Sequence, residues 1–271
     1  ANLGYNRIDS TYSAESGFVP RLGVQAFFPG ASWRFYPQKG WAARHITNYK
    51  FGVSGDLTYG LNGKHTDRES SVYFGTGFKD QGYFNTGIYN NYTYLFESFD
   101  PTNLYETGTD PLPVGGYAYS GFYASYESGT SYNVQGDISL TTGEYFNGNL
   151  FQVEGRFTYR QQPLGIFSVL YSYNRIHLPR PYASADFWLI GPRVELAFSH
   201  AVFFSSFFQY NTQANNFNIN ARLQWRFAPA SDIFFVYTDN SYAREIRNTP
   251  VQFFSPKNKA VVLKFVYWMN L

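Results

Sequence analysis

Histidine, serine and acidic side chains are the groups of this sequence that could perform chemistry, and their spacing does not favour it. The four histidines, His45, His65, His177 and His200, lie far apart, and none has a second ligand at metal-site spacing. Ser199 precedes His200 in a predicted turn, but neighbouring side chains there point to opposite faces, so the pair does not form a nucleophile and its base. The chain has no cysteine, which excludes thiolate ligands. We therefore predict that this chain is not an enzyme and holds no metal or cofactor.

Charged residues recur on what we predict to be one face of the strands. They form a predicted polar lining of a barrel interior, made of Lys50, Asp56, Asp137, Glu154, Arg156, Arg160, Arg193, Glu195, Arg222, Arg226 and Lys264. Rings of fixed charge can set the ion preference of a conducting pore. Because both signs are mixed, the sequence favours an interior ladder of ion pairs and hydrogen bonds over a selective pore.

Aromatic residues in the predicted loops leave two interpretations open. Exposed aromatic clusters often mark a surface for a partner or for sugar stacking, and the same rings could equally pack within hairpins. The residues concerned are Phe99, Tyr105, Tyr242, Phe253 and Phe254.

Composition restricts the class of protein. Aromatic residues make up 21% of the 271 residues and charged residues only 15%, against a usual charged share of about a quarter. The net charge of +2 is scattered and forms no basic stripe, which argues against nucleic acid as a partner. No apolar run is long enough for a transmembrane helix.

Alternation with a period of two is the strongest pattern. In the segment 216–227, Phe217, Leu223 and Trp225 share one side with other apolar residues, whereas Arg222 and Arg226 share the other with asparagine and glutamine. Successive side chains of a strand point to opposite faces, so this segment is predicted as a strand with one apolar and one polar face. The pattern predicts thirteen strands, at 31–36, 48–59, 72–78, 84–96, 117–126, 132–141, 151–160, 167–173, 188–198, 202–210, 216–227, 233–237 and 261–271.

A soluble sandwich alternates too, but its buried face is rich in Val, Ile and Leu. Here the apolar face is dominated by Phe, Tyr and Trp, as in the aromatic girdles of outer-membrane proteins. The sequence therefore predicts an all-β, antiparallel transmembrane β-barrel of the outer-membrane type, with about 13–14 strands. The residues predicted to face lipid are Phe51, Tyr59, Phe157, Tyr159, Phe217, Leu223, Trp225, Phe227, Phe265 and Tyr267.

The direction and number of the strands indicate how the single predicted domain, 1–271, begins. Tight turns are predicted at 79–82, 128–130, 161–163, 199–200 and 229–231, with longer loops at 62–68, 97–116, 142–148, 175–184 and 240–257. Placing the long loops outside makes 31–36 run inward, and bacterial barrels have an even strand number. Segment 1–30 is therefore predicted as an extracellular segment or a partial first strand before the barrel strands of 31–271, and strand parity leaves open that the chain is part of a larger barrel.

Several segments resemble one family. They are the string Arg222 to Asp232 (Arg-Leu-x-Trp-Arg-Phe-x-Pro-x-Ser-Asp) within 220–237, the segments 17–21 and 261–267, and the pairs Tyr36-Pro37 and Gly40-Trp41. The family comprises large outer-membrane proteins, frequent in Bacteroidota, in which a carbohydrate-binding-like module precedes a C-terminal barrel domain of unknown function. This chain resembles the barrel part alone. The resemblance implies no catalytic residues.

Two functions follow from the predicted barrel. The first is a membrane anchor or component of an outer-membrane assembly, in contact with lipid and with other outer-membrane or periplasmic proteins, in a Gram-negative bacterium. The alternative is a pore or transporter for small solutes or glycans through the polar interior. The joining of barrel and soluble module in the resembled family favours the anchor slightly.

Overall fold

The computed structural model describes residues 1–13, 19, 21–102, 109–243 and 255–269, which form strands and one short helix. The elements are β1 (Asn2–Ile8), β2 (Val24–Phe35), α1 (Gly40–His45), β3 (Ile46–Gly60), β4 (His65–Phe78), β5 (Tyr83–Leu95), β6 (Gly115–Glu127), β7 (Val134–Tyr145), β8 (Gly148–Gln161), β9 (Gly165–His177), β10 (Ala185–Ala197), β11 (Val202–Asn211), β12 (Asn216–Ala228), β13 (Ser231–Ser241) and β14 (Pro256–Val266).

The strands form one antiparallel sheet in which order along the sheet equals order along the chain, from β1 to β14. This confirms the all-β antiparallel prediction and the strand number. The sheet does not close into the predicted barrel. Over the described residues β1 has only β2 as a neighbour and β14 has only β13, so the sheet is open. No helix in the described part of the chain is long and apolar enough to cross a membrane.

The two ends of the chain differ from the predicted strands. The first strand is β1, and its residues Asn2 to Ile8 lie opposite Gly30 to Val24 of β2. β1 therefore lies within the segment 1–30, and β2 begins seven residues before the predicted 31–36. Alternation is weak there because Pro29 and Gly30 interrupt the apolar pattern. The last strand begins and ends five residues earlier than predicted, at Pro256 and Val266.

Connections also depart from the simple alternation of tight and long. Phe146 and Asn147 alone join β7 to β8, where a longer loop was predicted, and Phe146 has a positive φ of 52° that suits a tight turn. The β2–β3 connection carries α1, which the sequence did not predict because a helix of six residues is too short to show a period. Hereafter the end where odd-numbered strands finish is called the loop end.

The chain comprises two compact units. Unit 1 consists of Ala1–Gly129, Ser139–Gln152 and Arg175–Ala185, and unit 2 consists of Thr130–Ile138, Val153–Asn174 and Asp186–Leu271. The buried apolar residues of the described chain are few: Val24, Ile46, Leu112, Ile176, Leu178, Ala183, Phe187 and Ala243. Large apolar residues that are exposed are far more numerous.

Candidate functional site

In unit 1, one face of the sheet is an exposed apolar surface. Val53 lies opposite Val72, which lies opposite Ile88, and this row continues to Phe122. Ile88 is 61% exposed and Val72 is 55% exposed. The adjacent row contains Phe51, whose ring centroid is 4.8 Å from that of Phe74 and 6.1 Å from that of Phe35. We call this side the apolar face of unit 1.

Unit 2 has an apolar face of the same character. Phe204, Leu223, Phe235 and Leu263 lie opposite one another on β11 to β14, and Leu263 is 72% exposed. The next row consists of Val202, Trp225, Ile233 and Phe265. Beyond it, Phe227 stacks on Phe265 and on Tyr267, with ring centroids 5.4 and 6.5 Å apart.

Toward the loop end, the apolar face of unit 1 gives way to a polar row. The Arg68 guanidinium donates to Asn90 Oδ1, and Asn90 Nδ2 donates to Ser120 Oγ at 2.8 Å. The Ser120 backbone N–H then donates to Glu144 Oε2 at 3.0 Å. This row borders an open cavity of about 900 Å³ that also touches Val72. The exposed apolar surface therefore has a defined edge.

The apolar face of unit 2 is bounded at the loop end by a second polar group. The Asp239 carboxylate is almost fully buried and accepts hydrogen bonds from Tyr237 Oη at 3.0 Å and from Ser241 Oγ at 2.7 Å. Lys259 Nζ lies 3.0 Å from Oδ2 of the same carboxylate. A buried carboxylate needs such partners, because an unpaired one would be strongly destabilising. The boundary is thus a well-bonded polar cluster.

The opposite face of unit 1 is filled by tyrosine rings that lie over glycines. In one row Gly52, Tyr73, Gly87 and Tyr123 alternate across β3 to β6. The Tyr73 ring is so close to Gly52 that a Cβ atom there would overlap it. Only glycine leaves this space, so the rings lie along the sheet and cover its backbone.

Charges on this polar face of unit 1 are clustered near β2 to β4. Asp56 lies opposite Glu69, and the Arg21 guanidinium forms an ion pair with Asp67. These four residues line a cavity of about 530 Å³. The predicted lining residue Lys50 places its ammonium 5.1 Å from the ring centroid of Tyr73 on the same face. The arrangement is a mixed-sign network with one arginine among three acids.

The polar face of unit 2 carries most of the predicted lining. Arg193 Nε donates to Glu195 Oε1 at 2.7 Å, and these two residues line a cavity of about 250 Å³ with Arg156. Glu195 also lines a second cavity, of about 470 Å³, with Arg222. Arg222 donates to Gln224 Oε1 at 3.0 Å. Both cavities are lined by charged residues together with phenylalanine.

A second ion pair lies at the other end of this face. Arg226 Nε is 3.3 Å from Asp232 Oδ1, and Gln224 Nε2 donates to the same oxygen at 2.9 Å. Lys264 lies opposite Phe234, within the same face as Gln224. The arginine of this pair is half exposed, so its contribution to stability is modest, at most about 1 kcal/mol.

The structure groups the predicted residues by face. Arg156, Arg193, Glu195, Arg222, Arg226 and Lys264 share the polar face of unit 2, and Lys50 and Asp56 share that of unit 1. Strand alternation assigns Glu154 and Arg160 to the face of Arg156, and Asp137 lies on the neighbouring strand β7, whose start is bonded to β8 through the Arg160 N–H and the Asn133 carbonyl. The residues predicted to face lipid lie on the apolar faces, with Phe51 and Tyr59 in unit 1 and Phe157, Tyr159, Phe217, Leu223, Trp225, Phe227, Phe265 and Tyr267 in unit 2. Contact of these residues with lipid stays a prediction.

The loop aromatics are described in part. Tyr105, Phe253 and Phe254 lie outside the described residues. The Phe99 ring is 5.8 Å from that of Phe146, and Lys257 Nζ lies 4.5 Å from the ring centroid of Tyr242. These two rings therefore pack against their own chain.

A row of amide side chains was missed in the sequence. Gln209 lies opposite Asn218, Asn218 opposite Asn240, and Asn240 opposite Asn258, on the polar face of β11 to β14. The Asn240 Oδ1 atom is buried and accepts no hydrogen bond from any described residue. Within its own strand, Asn218 is one polar residue among several. The four amides are seen to be aligned only when the register between the strands is known. We call these four residues the amide row.

Within the described residues, no group of three or more His, Asp or Glu side chains could hold a metal ion. Comparisons with protein-family models, with curated proteins and with solved structures find no match to this chain.

Proposed function

We propose that this chain is the wall of a transmembrane β-barrel in the outer membrane of a Gram-negative bacterium, where it acts as an anchor or as a component of an outer-membrane assembly. The observation that carries the proposal is the exposed apolar face opposite a charged face. Val72 and Ile88 in unit 1 and Leu263 in unit 2 are more than half exposed. In water this much apolar surface would drive association, whereas in a bilayer it would contact the hydrocarbon chains of the lipid.

Strand length and number support the same proposal. A tilted strand needs about 9–11 residues to cross the hydrocarbon layer, and β2 to β14 have 10 to 15 residues. The even number of strands counted over the described residues, 14, is the kind of number that bacterial single-chain barrels have. An open edge is costly in lipid, so the proposal requires a strand neighbour for β1 and for β14 in the membrane.

The resemblance to Bacteroidota proteins with a carbohydrate-binding-like module ahead of a barrel supports the anchor role. In such an arrangement the barrel would hold a soluble module at the cell surface or in the periplasm. Its partners would be outer-membrane lipid and other outer-membrane or periplasmic proteins. Purification from native membranes in mild detergent should therefore retain a second protein, and recovery of this chain alone would contradict the anchor role.

Membrane insertion can be tested with single cysteines, because the chain has none of its own. Val53→Cys and Leu263→Cys lie on the apolar faces, and Val262→Cys is adjacent to Leu263 but lies on the polar face. Each variant is labelled with an environment-sensitive fluorophore and reconstituted in phosphatidylcholine vesicles that contain doxyl-labelled lipid. We expect the doxyl lipid to quench the labels at positions 53 and 263, and aqueous iodide to quench the label at position 262.

Val262→Cys is the matched control, since both residues of β14 are exposed and apolar. Equal quenching of positions 262 and 263 by doxyl lipid would mean that the sheet does not separate lipid from water. That result would contradict the membrane proposal.

A second candidate function is the passage of small polar solutes or glycans. The cavities beside Arg193, Glu195 and Arg222 on the polar face of unit 2 favour it. Insertion into planar bilayers should then give discrete current steps, and Arg222→Glu should shift the reversal potential under a salt gradient toward cation preference. Insertion without any current above the lipid baseline would contradict passage and leave the anchor role in place.

A further inference from the structure

The amide row, made of Gln209, Asn218, Asn240 and Asn258, has the features of a binding site. We propose that it binds a neutral oligosaccharide chain laid across β11 to β14 on the polar face of unit 2. The four residues lie directly opposite one another in consecutive strands. Neighbouring strands are about 4.8 Å apart, so the row offers amides over about 14 Å.

The amides of this row have hydrogen-bonding capacity to spare. Over the described residues, the side chains of Gln209, Asn218 and Asn258 make no hydrogen bond with the protein. The Asn240 Oδ1 atom is buried without a partner in the described part of the chain, which is unusual because buried polar atoms are nearly always bonded. Because this oxygen has almost no accessible surface, a ligand would contact Asn240 through its Nδ2 and not through Oδ1.

The chemistry of the row selects an uncharged, hydroxylated ligand. Each amide offers a donor and an acceptor, and sugar hydroxyl groups likewise donate and accept. No member of the row is charged, and the next residues on this face toward the other end of the strands are Phe207, Asn220 and Thr238. An anionic ligand would instead be bound by arginine. Arg193 lies opposite Phe207, one row from Gln209, but it is paired with Glu195, and Arg222 lies one row further along the face.

An aromatic ring borders the row. Phe207 lies on the same face in the row next to Gln209, and its ring lies 3.4 Å from the position that a Cβ atom of Gly191 on β10 would occupy. Phe207 and Gly191 both line the cavity of about 250 Å³ described above, so there is space beside this ring. The apolar face of a sugar ring can pack on an aromatic side chain while its hydroxyl groups reach the amides.

The strand also offers a control residue of the same type. Asn220 lies two residues from Asn218 on the same strand and face, but its Nδ2 already donates to Thr238 Oγ1 at 3.1 Å. Its amide is therefore partly satisfied within the protein. Substitution of Asn220 should leave ligand binding unchanged.

The test is calorimetric titration of the full chain with maltohexaose, with cellohexaose and, as the charged comparison, with hexagalacturonate. The protein is kept in lauryldimethylamine oxide, a detergent without a sugar headgroup. We expect at least one neutral hexasaccharide to bind, and the double variant Asn218→Ala, Asn240→Ala to weaken that binding about thirtyfold, from two lost hydrogen bonds of ordinary strength. Asn220→Ala should change the Kd less than about twofold, and circular dichroism should show the sheet intact in both variants.

Three results would overturn the proposal. These are the absence of binding by both neutral hexasaccharides, tighter binding of hexagalacturonate than of either, and an equal loss of affinity in Asn220→Ala and in the double variant. Oligosaccharide binding goes beyond the proposed function and does not require membrane insertion. The titration in detergent therefore tests it separately. A chain that binds maltohexaose but fails to insert into vesicles retains this site and loses only the membrane proposal.

Discussion

Two adjacent residues of β14 allow a direct test of which solvent each face meets. Leu263 lies on the apolar face of unit 2 and is 72% exposed, whereas Val262 lies on the polar face and is 50% exposed. Both are apolar, both belong to the same strand, and neither is buried. The perturbation is a single arginine at one position or the other, Leu263→Arg or Val262→Arg.

The position of Leu263 along the strand sets the expected magnitude. Lys259, which belongs to the polar cluster at the loop end, is four residues away, and the aromatic Tyr267 is four residues away in the other direction. At about 3.4 Å per residue, Leu263 is about 14 Å along the strand from either boundary, so it is central in the apolar surface. An arginine at the centre of a lipid-facing surface costs about 2–4 kcal/mol. On the polar face the cost should be within about 0.5 kcal/mol of zero.

The assay is equilibrium unfolding by guanidinium chloride from phosphatidylcholine vesicles, followed by tryptophan fluorescence. A loss of about 3 kcal/mol in Leu263→Arg corresponds to a change of more than a hundredfold in the folding equilibrium constant. Folding and unfolding curves must coincide for each variant, so that the free energies are equilibrium values.

The refuting result is equal stability of the two variants. In water, both substitutions are exposed changes on an edge strand, and neither has a reason to cost more than about 0.5 kcal/mol. If Leu263→Arg and Val262→Arg differ by less than this amount in vesicles, then the apolar face does not contact hydrocarbon.

Three further predictions concern the polar groups and the packing of glycine. Asp239→Ala should lower the free energy of unfolding by about 1–3 kcal/mol, because three donors lose their acceptor, and denaturant titration would measure it. Gly52→Ala should cost about 1–3 kcal/mol through overlap with the ring of Tyr73, and Tyr73→Ser in the same chain should recover most of that loss, as a double-mutant cycle would show. The pKa of Asp9, in the β1–β2 connection, is held below its usual value mainly by the backbone N–H of Thr11 and then by the Thr11 hydroxyl. The stability that these hydrogen bonds contribute is therefore present above the ordinary aspartate pKa and is lost as the pH falls through the lowered pKa. Carboxyl chemical shifts measured against pH should place the Asp9 midpoint higher in Thr11→Val than in the native chain.

The fold could largely be predicted from the sequence because alternation is a local property. The strand predicted at 216–227 differs from β12 by one residue, since apolar and polar side chains alternate there without interruption. β1 was not identified as a separate strand, because Asn2–Ile8 contains Gly4 and no regular apolar alternation. Its pairing with β2 depends on residues that are distant in sequence.

The candidate site was less predictable, because it depends on register. The alternation places Asn218 on the polar face but does not tell which residue of β13 lies opposite it. A shift of one residue would replace Asn240 by Asp239, which lies on the other face and is bonded to Lys259. The charged lining was easier to predict, since charge alone identifies Arg193 and Arg222 as polar-face residues.

The tyrosine rings that lie over glycines have a consequence for how this chain can change in evolution. Because Tyr73 occupies the space that a side chain at Gly52 would need, neither position can vary freely without the other. The same holds for Tyr89 and Gly121, whose contact joins β5 to β6. In a set of related sequences, the loss of such a glycine should therefore accompany the loss of its aromatic partner. Correlated substitutions of this kind would reveal strand neighbours and register from sequences alone, at the positions where hydrophobic alternation carries no such information.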